Sequence, residues 1–343
     1  MKALMKVAEG PGNLELRDIR EPAPGPGEVV VKVAATGICG SDLHIQDDEY
    51  KVVPPVVIGH ETAGTVAAVG AGVEGFRPGD RVTSQTTLST CGRCAYCRSG
   101  RTNLCPERRW LGGLVNGGFA EYFAVPARSL LRLPENVSET AAALTEPLAC
   151  CVHGVLEVAE PAPGSTVVVS GPGPIGLLCA QAARAAGAEV IVLGTAADQA
   201  RFALARRLGF TRLVDVQAQD PVAAVHELAG GTGPDLVIEA AGAAASLDQC
   251  LRLAPRGGTL LQIGLYGRPV PVAVDTLVIK ELRLLGTFSS TPTAWTTALD
   301  LMASGKVQTE PLVTSTRPLA EWASAFQAAR EKREGKILLT PAG

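Results

Sequence analysis

The stretch from Thr166 to Gly187 constrains the fold most, because it joins a buried strand, a glycine-rich turn and a helix without interruption. Residues 167–169 are a continuous valine run, typical of a parallel strand buried on both faces. A GxGxxG sequence follows at Gly171, Gly173 and Gly176, and it opens a segment of helical period. Such glycines allow a close approach to a pyrophosphate, which the free N–H groups of the helix then bind. The alternative is an ordinary βα turn, but this context favours a dinucleotide site.

The chain then alternates between strand and helix patterns. Strands are predicted near 189–193, 212–216, 236–240, 259–263 and 282–286, with helices near 198–209, 221–229 and 245–254. This alternation predicts an α/β fold, a Rossmann-type, doubly wound, parallel sheet of six strands. Its candidate cofactor-binding residues are Gly171, Gly173, Pro174, Ile175, Gly176, Gly194, Thr195, Arg201, Ala241 and Gly264.

The first 145 residues instead have the pattern of short strands and Pro/Gly turns. Strands are predicted at 29–35 and 63–69, and the turn at 75–82 leads into another. This part is therefore expected to be a mostly β domain. Ser138 is a plausible N-cap of a helix that is interrupted at Glu146, because the following Pro147 disfavours helical geometry there. We expect Glu146 to lie at a break and to be a candidate for facing a cleft.

Four cysteines, Cys91, Cys94, Cys97 and Cys105, fall within 15 residues. This spacing favours a closed, four-thiolate tetrahedral zinc site that fixes a loop and carries no chemistry. Paired disulfides and an iron–sulfur cluster are the alternatives. The separate trio of Cys39, His60 and Glu61 offers a thiolate, an imidazole and a carboxylate. Its spacing alone leaves metal binding open against a buried cysteine beside a surface His-Glu pair.

Composition excludes several classes of protein. A net charge of −3 gives no basic signature for nucleic acid, and no apolar run reaches the length of a membrane span. The N-terminal residues lack the pattern of a signal peptide. We therefore expect a cytoplasmic location, where the nine cysteines serve as thiols or metal ligands rather than disulfides.

Taken together, these motifs resemble the zinc-dependent medium-chain dehydrogenase family, most closely its polyol (sorbitol, L-iditol) and threonine dehydrogenase branch. The resemblance runs from about residue 2 to 339. The motifs that carry it are GICGSDLH around Cys39, Gly-His60-Glu61, the four cysteines, Glu146-Pro-Leu, and Gly171-Pro-Gly-Pro-Ile-Gly176.

The resemblance implies a GroES-like, β-rich catalytic domain at 1–148 and 288–343, a Rossmann cofactor domain at 149–287, and an active site in a cleft between them. It implies two Zn²⁺ ions per chain. The structural zinc would be held by the four cysteines. The catalytic zinc would be held by Cys39 and His60, with Glu61 and Glu146 completing the site, one or the other directly or through water.

In such a site the zinc acts as a Lewis acid on the alcohol and the nicotinamide accepts the hydride. By resemblance, Ser41 and His44 would carry the released proton to solvent; a turn hydroxyl and a solvated histidine are the alternatives. Phe119 matches a position that can line the substrate cleft, although a core aromatic is an equal interpretation.

Two features depart from the family pattern. No acidic residue follows the second strand, where NAD enzymes place one for the ribose hydroxyls. Asp198 comes four residues later, and Arg201 could bind a 2′-phosphate, so NAD and NADP both stay open with a slight preference for NAD. Second, Ser289 and Ser290 stand where polyol and threonine dehydrogenases often have an arginine, which leaves the substrate open and makes Ser289 a candidate residue of the substrate cleft.

We therefore expect an enzyme of the EC 1.1.1 class that oxidises a secondary alcohol to a ketone with NAD(P), with a polyol such as sorbitol or xylitol preferred. L-Threonine 3-dehydrogenase and a general secondary-alcohol or butanediol dehydrogenase are the alternatives. A nucleotide-binding structural protein that lost activity is the non-enzymatic alternative. The resemblance also implies a homo-oligomer, a tetramer or a dimer.

Overall fold

A computed structural model describes residues 1–332 and 334–341 of the chain. The chain divides into two units, one formed by Met1–Glu146, Thr291–Leu299 and Val313–Gly343, the other by Pro147–Ser290 and Asp300–Leu312. Two of the four boundaries fall inside helices, one within Thr145–Val152 and one within Pro292–Ala303. Arg333 and residues 342–343, which belong to the expected catalytic domain, lie outside the described residues.

The first unit is built mainly of short strands. In chain order they are β1 (Lys2–Lys6), β2 (Leu14–Asp18), β3 (Glu28–Gly37), β4 (Val56–Val57), β5 (Glu61–Val69), β6 (Arg81–Ser84), β7 (Thr87–Ser89), β8 (Arg109–Trp110), β9 (Tyr122–Pro126) and β10 (Leu130–Arg132). Its helices are α1 (Gly40–Gln46), α2 (Ala95–Arg98) and α3 (Glu139–Ala142), and α4 (Thr145–Val152) crosses into the second unit. This bears out the expected β-rich domain.

The second unit alternates strands and helices. They are β11 (Thr166–Ser170), α5 (Pro174–Ala185), β12 (Glu189–Gly194), α6 (Gln199–Arg207), β13 (Leu213–Asp215), α7 (Pro221–Leu228), β14 (Leu236–Glu239), α8 (Ala244–Leu253), β15 (Thr259–Gln262), α9 (Val274–Lys280) and β16 (Arg283–Gly286). All six strands are parallel, in the order β13-β12-β11-β14-β15-β16. The predicted doubly wound sheet is confirmed, although helix α9 was not predicted.

The chain then returns to the first unit through α10 (Pro292–Ala303), β17 (Val313–Pro318), α11 (Trp322–Glu331) and β18 (Lys336–Thr340). Strand β18 is an interior strand of the main sheet, whose order is β10-β6-β5-β3-β18-β17, with β9 also paired to β3. The last described strand therefore lies beside β3, parallel to β17 and antiparallel to β3.

The core of each unit follows from its strands. In the first unit, buried side chains from the N-terminal strands and from α11 pack together, among them Leu4, Ile58, Phe119 and Phe326. In the second, the inward side chains of the parallel strands pack against α7 and α8. The valine run at 167–169 is fully buried, as the sequence predicted.

One local prediction was wrong. The helical break lies at residues 143–144, and Glu146 stands in the first turn of α4, where it is buried. A proline is tolerated in the first turn because the N–H groups there have no intrahelical partner. Pro147 therefore continues the helix that it was expected to interrupt.

Candidate metal centres and cofactor site

The four clustered cysteines come together in a small lobe between β7 and β8. Sγ–Sγ distances are 3.5 Å between Cys94 and Cys97, 3.6 Å between Cys91 and Cys105, and 3.9 Å between Cys91 and Cys97. A tetrahedral site with Zn–S bonds of about 2.3 Å has S–S edges of about 3.8 Å, so the cluster fits zinc. All four are free thiols, which excludes the disulfide alternative in this structure.

Backbone amides prepare these sulfurs for a metal. The amide of Cys91 donates to Cys105 Sγ, that of Cys94 to Cys91 Sγ, and that of Cys97 to Cys94 Sγ, each at 3.4 Å. Backbone hydrogen bonds lower the pKa of Cys91 to about 6. Amide donors of this kind stabilise the thiolate form that binds zinc.

The second candidate centre joins α1 to the start of β5. Cys39 lies immediately before α1, and His60 and Glu61 stand where β5 begins. One ligand atom of each of the three lies within 4.8 Å of the others. His60 and Glu61 are buried, which corrects the alternative of a surface pair. Thiolate, imidazole and carboxylate are the donors that zinc accepts in open sites, so these residues fit the metal.

Asp42 stands behind His60 and was missed from the sequence. Its Oδ1 lies 3.7 Å from His60 Nδ1, and among the described residues neither atom has a hydrogen-bond partner. Its other oxygen accepts from the amide of Cys39 at 2.8 Å. Burial raises the pKa of Asp42 to about 6, against the opposing effect of His60. This carboxylate can orient the imidazole so that Nε2 faces the metal position, the usual second partner of a zinc-binding histidine.

Glu61 has a cationic partner that the sequence did not indicate. Lys336 Nζ donates to Glu61 Oε1 at 2.6 Å, to Glu61 Oε2 at 2.7 Å and to the carbonyl of Ile38 at 2.9 Å. Both side chains are buried. Burial alone would lower the pKa of Lys336, but the charges of Glu61, Cys39 and Glu146 and the hydrogen bonds to Glu61 together raise it. The carboxylate is thus held by an ammonium group beside the candidate centre.

Glu146 belongs to the same electrostatic environment. Its side chain is buried in the first turn of α4. Burial would lower the pKa of His60, yet Asp42 and Cys39 raise it well above its usual value, and Glu146 adds to this. Glu146 also contributes to raising the pKa of Lys336. Two carboxylates, Glu61 and Glu146, therefore act on the centre.

The candidate relay residues lie on α1. Ser41 Oγ is 3.4 Å from His60 Nε2, next to the metal position. His44 Nδ1 is 2.6 Å from Glu49 Oε2, and the His44 side chain is one quarter exposed. An imidazole that is fixed by a carboxylate and open to solvent is suited to proton transfer. Glu49 was not anticipated.

The aromatic side chains near the centre are Trp110 and Tyr50 rather than the predicted Phe119. Trp110 meets His60 edge-on at 6.2 Å between ring centroids, and Tyr50 meets Trp110 at 5.6 Å. Burial raises the pKa of Tyr50, and the charges of Cys39 and Glu146 contribute. Phe119 is instead 1% exposed and packs on Phe326, so in this structure it is a core aromatic.

The glycine sequence of the second unit has the geometry of a cradle. Gly171 has φ +104°, and a Cβ there would lie 2.8 Å from the backbone of Ala241. A Cβ on Gly176 would lie well inside contact distance of the Gly171 carbonyl. Gly173 is open instead, since among the described residues an added Cβ would meet only the Arg201 guanidinium, at 4.0 Å. Pro174 is the first residue of α5, and the free N–H groups of the first turn of this helix face the cradle.

Glu239 organises the loop opposite this cradle and was not predicted from the sequence. It ends β14, is fully buried, and accepts from the amides of Ala241 at 3.0 Å and Gly242 at 3.1 Å. Gln262 Nε2 and Tyr266 OH also donate to it, at 2.7 and 3.2 Å. Gly264 is required here, because a Cβ would lie 2.5 Å from the Glu239 carboxylate. The loops after β11 and β14 flank the point where strand order reverses, which is where such sheets bind dinucleotides.

The end of β12 carries the remaining cofactor candidates. A Cβ on Gly194 would contact Pro172 of the cradle at 2.9 Å, so this strand end lies directly against it. Thr195 follows, and its amide and hydroxyl both donate to Asp198, at 2.9 and 2.8 Å. Arg201 donates to the same carboxylate at 3.3 Å.

The predicted substrate residue Ser289 also lies in the second unit, with φ +56°, and its neighbour Ser290 is buried. None of the helices in the described part of the chain has the length and apolar character of a membrane span.

Comparison with known proteins agrees with these sites. Residues 25–135 match the family model of the alcohol dehydrogenase GroES-like domain, and residues 174–304 match that of the zinc-binding dehydrogenases. The chain is 41% identical to the sorbitol dehydrogenase of Halalkalibacterium halodurans over 342 residues, which is 99% of each chain. It is 38% identical to the D-arabitol-phosphate dehydrogenase of Enterococcus avium, covering 99% of this chain and 97% of that one.

Among solved structures, a zinc-binding dehydrogenase of Sinorhizobium meliloti bound to NADP is 37% identical, with a TM-score of 0.89 and 99% of each chain covered. Fold, donor sets and matches together define an oxidoreductase that uses zinc and a nicotinamide cofactor. The chain belongs to the zinc-dependent medium-chain dehydrogenases, NAD(P)-dependent oxidoreductases of alcohols and polyols. The predicted family, fold class and cofactors are confirmed.

Proposed function

We propose that this chain oxidises a secondary alcohol, with a polyol such as sorbitol or xylitol preferred, to the ketone with NAD(P). The observation that carries the proposal is the open donor set of Cys39, His60 and a carboxylate, distinct from the closed set of four cysteines. The similarity to sorbitol and arabitol-phosphate dehydrogenases supports a polyhydroxylated substrate.

The catalytic zinc would be held by Cys39 and His60, with Glu61 and Glu146 completing the site, one or the other directly or through water. Glu61 also accepts two short hydrogen bonds from Lys336, which would hold its carboxylate in place. Cys91, Cys94, Cys97 and Cys105 would hold the structural zinc. Bound at the first site, zinc supplies Lewis-acid activation of the alcohol oxygen.

The protein side chains would supply the proton path and the positioning. Ser41 would accept the proton of the substrate hydroxyl, and His44, oriented by Glu49, would deliver it to solvent. Tyr50 and Trp110 would line the substrate side of this centre, in addition to Ser289. Phe119 would act only through the core.

The cofactor would lie over the glycine cradle. Gly173, Ile175 and Gly176 would bind the pyrophosphate with backbone N–H groups, since the space over Gly173 is open, and Gly171 and Pro174 would shape the loop around it. The further contacts would come from the adjacent loop ends, at Gly194, Thr195, Arg201, Ala241 and Gly264. Residues 149–287 would be the cofactor domain, and residues 1–148 with 288–343 the catalytic domain.

The chain would work as a cytoplasmic homo-oligomer, a tetramer or a dimer. Nine free cysteines suit a reducing compartment. Strand β16 is an edge of its sheet, and Val274, Val278, Ile279 and Leu284 nearby are exposed by 45% or more. Such an apolar edge favours association with a second copy.

The test is cofactor reduction with NAD and NADP separately, against sorbitol, xylitol, L-threonine, butanediol and a simple secondary alcohol. Turnover of a polyol that a chelator abolishes supports the proposal. Turnover of only L-threonine or only a simple alcohol would show that the proposed polyol substrate is wrong. Silence with every substrate, together with about one zinc per chain, would favour a structural remnant that kept the fold.

A further inference from the structure

Three side chains, those of Thr195, Asp198 and Arg201, follow the end of β12. This strand end is where dinucleotide-binding sheets meet the adenosine ribose. Dehydrogenases that select NAD place a carboxylate there, which accepts from the ribose hydroxyls, and those that select NADP place an arginine nearby. This chain has both a carboxylate and an arginine in this region, but neither stands in the usual position. Thr195 follows the strand, and Asp198 and Arg201 come after it.

The carboxylate of Asp198 is directed toward its own loop. One oxygen accepts from both the amide and the hydroxyl of Thr195, and the other accepts from Arg201. It therefore caps the short 3₁₀ turn Ala196–Asp198, so a ribose would find an acceptor already hydrogen-bonded three times.

Arg201 faces the cofactor space while it is paired. Its Nη1 is the single atom within 4.0 Å of a Cβ built on Gly173, among the described residues. The same nitrogen lies 3.3 Å from Asp198, and both side chains are less than one fifth exposed. At this separation each of the two unit charges offsets part of the effect of the other on a third charge nearby.

We propose that Thr195, Asp198 and Arg201 form a ribose 2′ site of zero net charge, so that the chain binds NADH and NADPH with dissociation constants within about tenfold of each other. The proposal rests on the proposed cofactor site at the glycine cradle. Asp198 offsets part of the attraction of Arg201 for a 2′-phosphate. Neither cofactor is excluded, because the side chain at the strand end, Thr195, is a neutral hydroxyl.

The test uses the zinc-loaded full chain and measures binding rather than turnover. Dissociation constants for NADH and NADPH come from fluorescence titration, and their ratio is compared among variants, since losses common to both cofactors cancel. Asp198→Asn keeps an acceptor for Thr195 and should shift the ratio toward NADPH by about tenfold or more. Arg201→Gln should shift it toward NADH by a similar factor.

Two further variants separate charge from structure. The double variant D198N/R201Q should return the ratio close to that of the parent chain, which a merely local distortion would not do. Arg206→Gln, on an exposed position of the same helix, should leave the ratio unchanged. Titration with adenosine 2′,5′-bisphosphate and 5′-AMP should reproduce the shifts, because these fragments contain only the adenosine half.

A parent ratio beyond about tenfold in either direction would overturn this inference and leave the proposed function standing. Shifts in the same direction for D198N and R201Q would overturn it as well. Binding of neither dinucleotide to the parent chain would instead refute the proposed cofactor site itself.

Discussion

Lys336 donates hydrogen bonds to both carboxylate oxygens of Glu61, at 2.6 and 2.7 Å, although 275 residues separate them in the chain. The pair is buried in the first unit, beside the candidate catalytic metal position. A buried ion pair is weak evidence for net stabilisation, but the loss of one partner leaves an uncompensated charge in a low-dielectric environment.

We predict that Lys336→Met lowers the free energy of unfolding by about 3–5 kcal/mol, measured by urea denaturation. The double variant K336M/E61Q should recover part of the loss, because it removes the buried charge as well. Lys2→Met is the matched control, since its pair with Asp18 is exposed and should contribute less than about 1 kcal/mol. A K336M variant as stable as K2M would contradict the role assigned to the pair.

Asp42→Asn should weaken binding of the catalytic zinc by about 10- to 100-fold, because the imidazole of His60 loses its orienting carboxylate. The measurement is competition with a chelator while zinc per chain is counted. The structural zinc should stay bound. Asp47→Asn, at an exposed ion pair just after the same helix, provides the comparison and should behave as the parent chain. Equal zinc affinities in the two variants would exclude the orienting role.

The two proposed zinc sites should respond differently to loss of a thiol. Cys39→Ser should remove most turnover and about one zinc per chain while the melting temperature stays close to that of the parent. Cys97→Ser should lower the melting temperature, because a closed structural site contributes to folding. Metal analysis and thermal unfolding measure these effects in both variants. Loss of activity in the Cys97 variant with no loss of stability would reverse the assignment of the sites.

His44→Asn should reduce the turnover number by about 10²-fold, since a positioned acid–base group contributes on that scale. Added imidazole should restore part of the rate if the side chain transfers a proton. His226→Asn, on an exposed face of α7, should leave the rate unchanged. A slow His44 variant that no concentration of imidazole improves would indicate a structural role for His44.

Glu239→Gln should cost about 1–3 kcal/mol of stability and weaken NADH binding, because an amide group replaces an oxygen that accepts from the loop amides. Unfolding curves and fluorescence titration measure the two effects. The exposed Glu227→Gln of the same unit serves as the reference. Unchanged NADH affinity in the Glu239 variant would show that the loop needs no such support.

The sequence was sufficient for the features that are local in the chain. The valine strand, the glycine cradle and the four cysteines each depend on residues within a short stretch, and the structure places them as predicted. Features that depend on topology were missed. Lys336 meets Glu61 only because β18 pairs with β3, and Trp110 meets His60 only after β7 and β8 form their ribbon.

At Glu146, reasoning from the local sequence predicted a helical break that the structure does not have at this residue. A proline after it disfavours helix in general, but the penalty disappears in a first turn, and the break had already occurred two residues earlier. The acidic network around the centre, Asp42 and Glu49 included, has no spacing signature, since single carboxylates are common on any surface.

The interior position of β18 has a consequence for biosynthesis. A chain emerging from the ribosome presents β3, β5 and the donors Cys39, His60 and Glu61 early, but the strand between β3 and β17 is translated only after the whole nucleotide-binding unit. Until residues 336–340 arrive, the Glu61 carboxylate lacks its ammonium partner and the sheet stays unfinished. A prematurely terminated polypeptide would thus carry every zinc ligand but leave the Glu61 carboxylate without Lys336, so loading of the catalytic zinc is expected to follow synthesis, whereas the four-cysteine site is complete by residue 105.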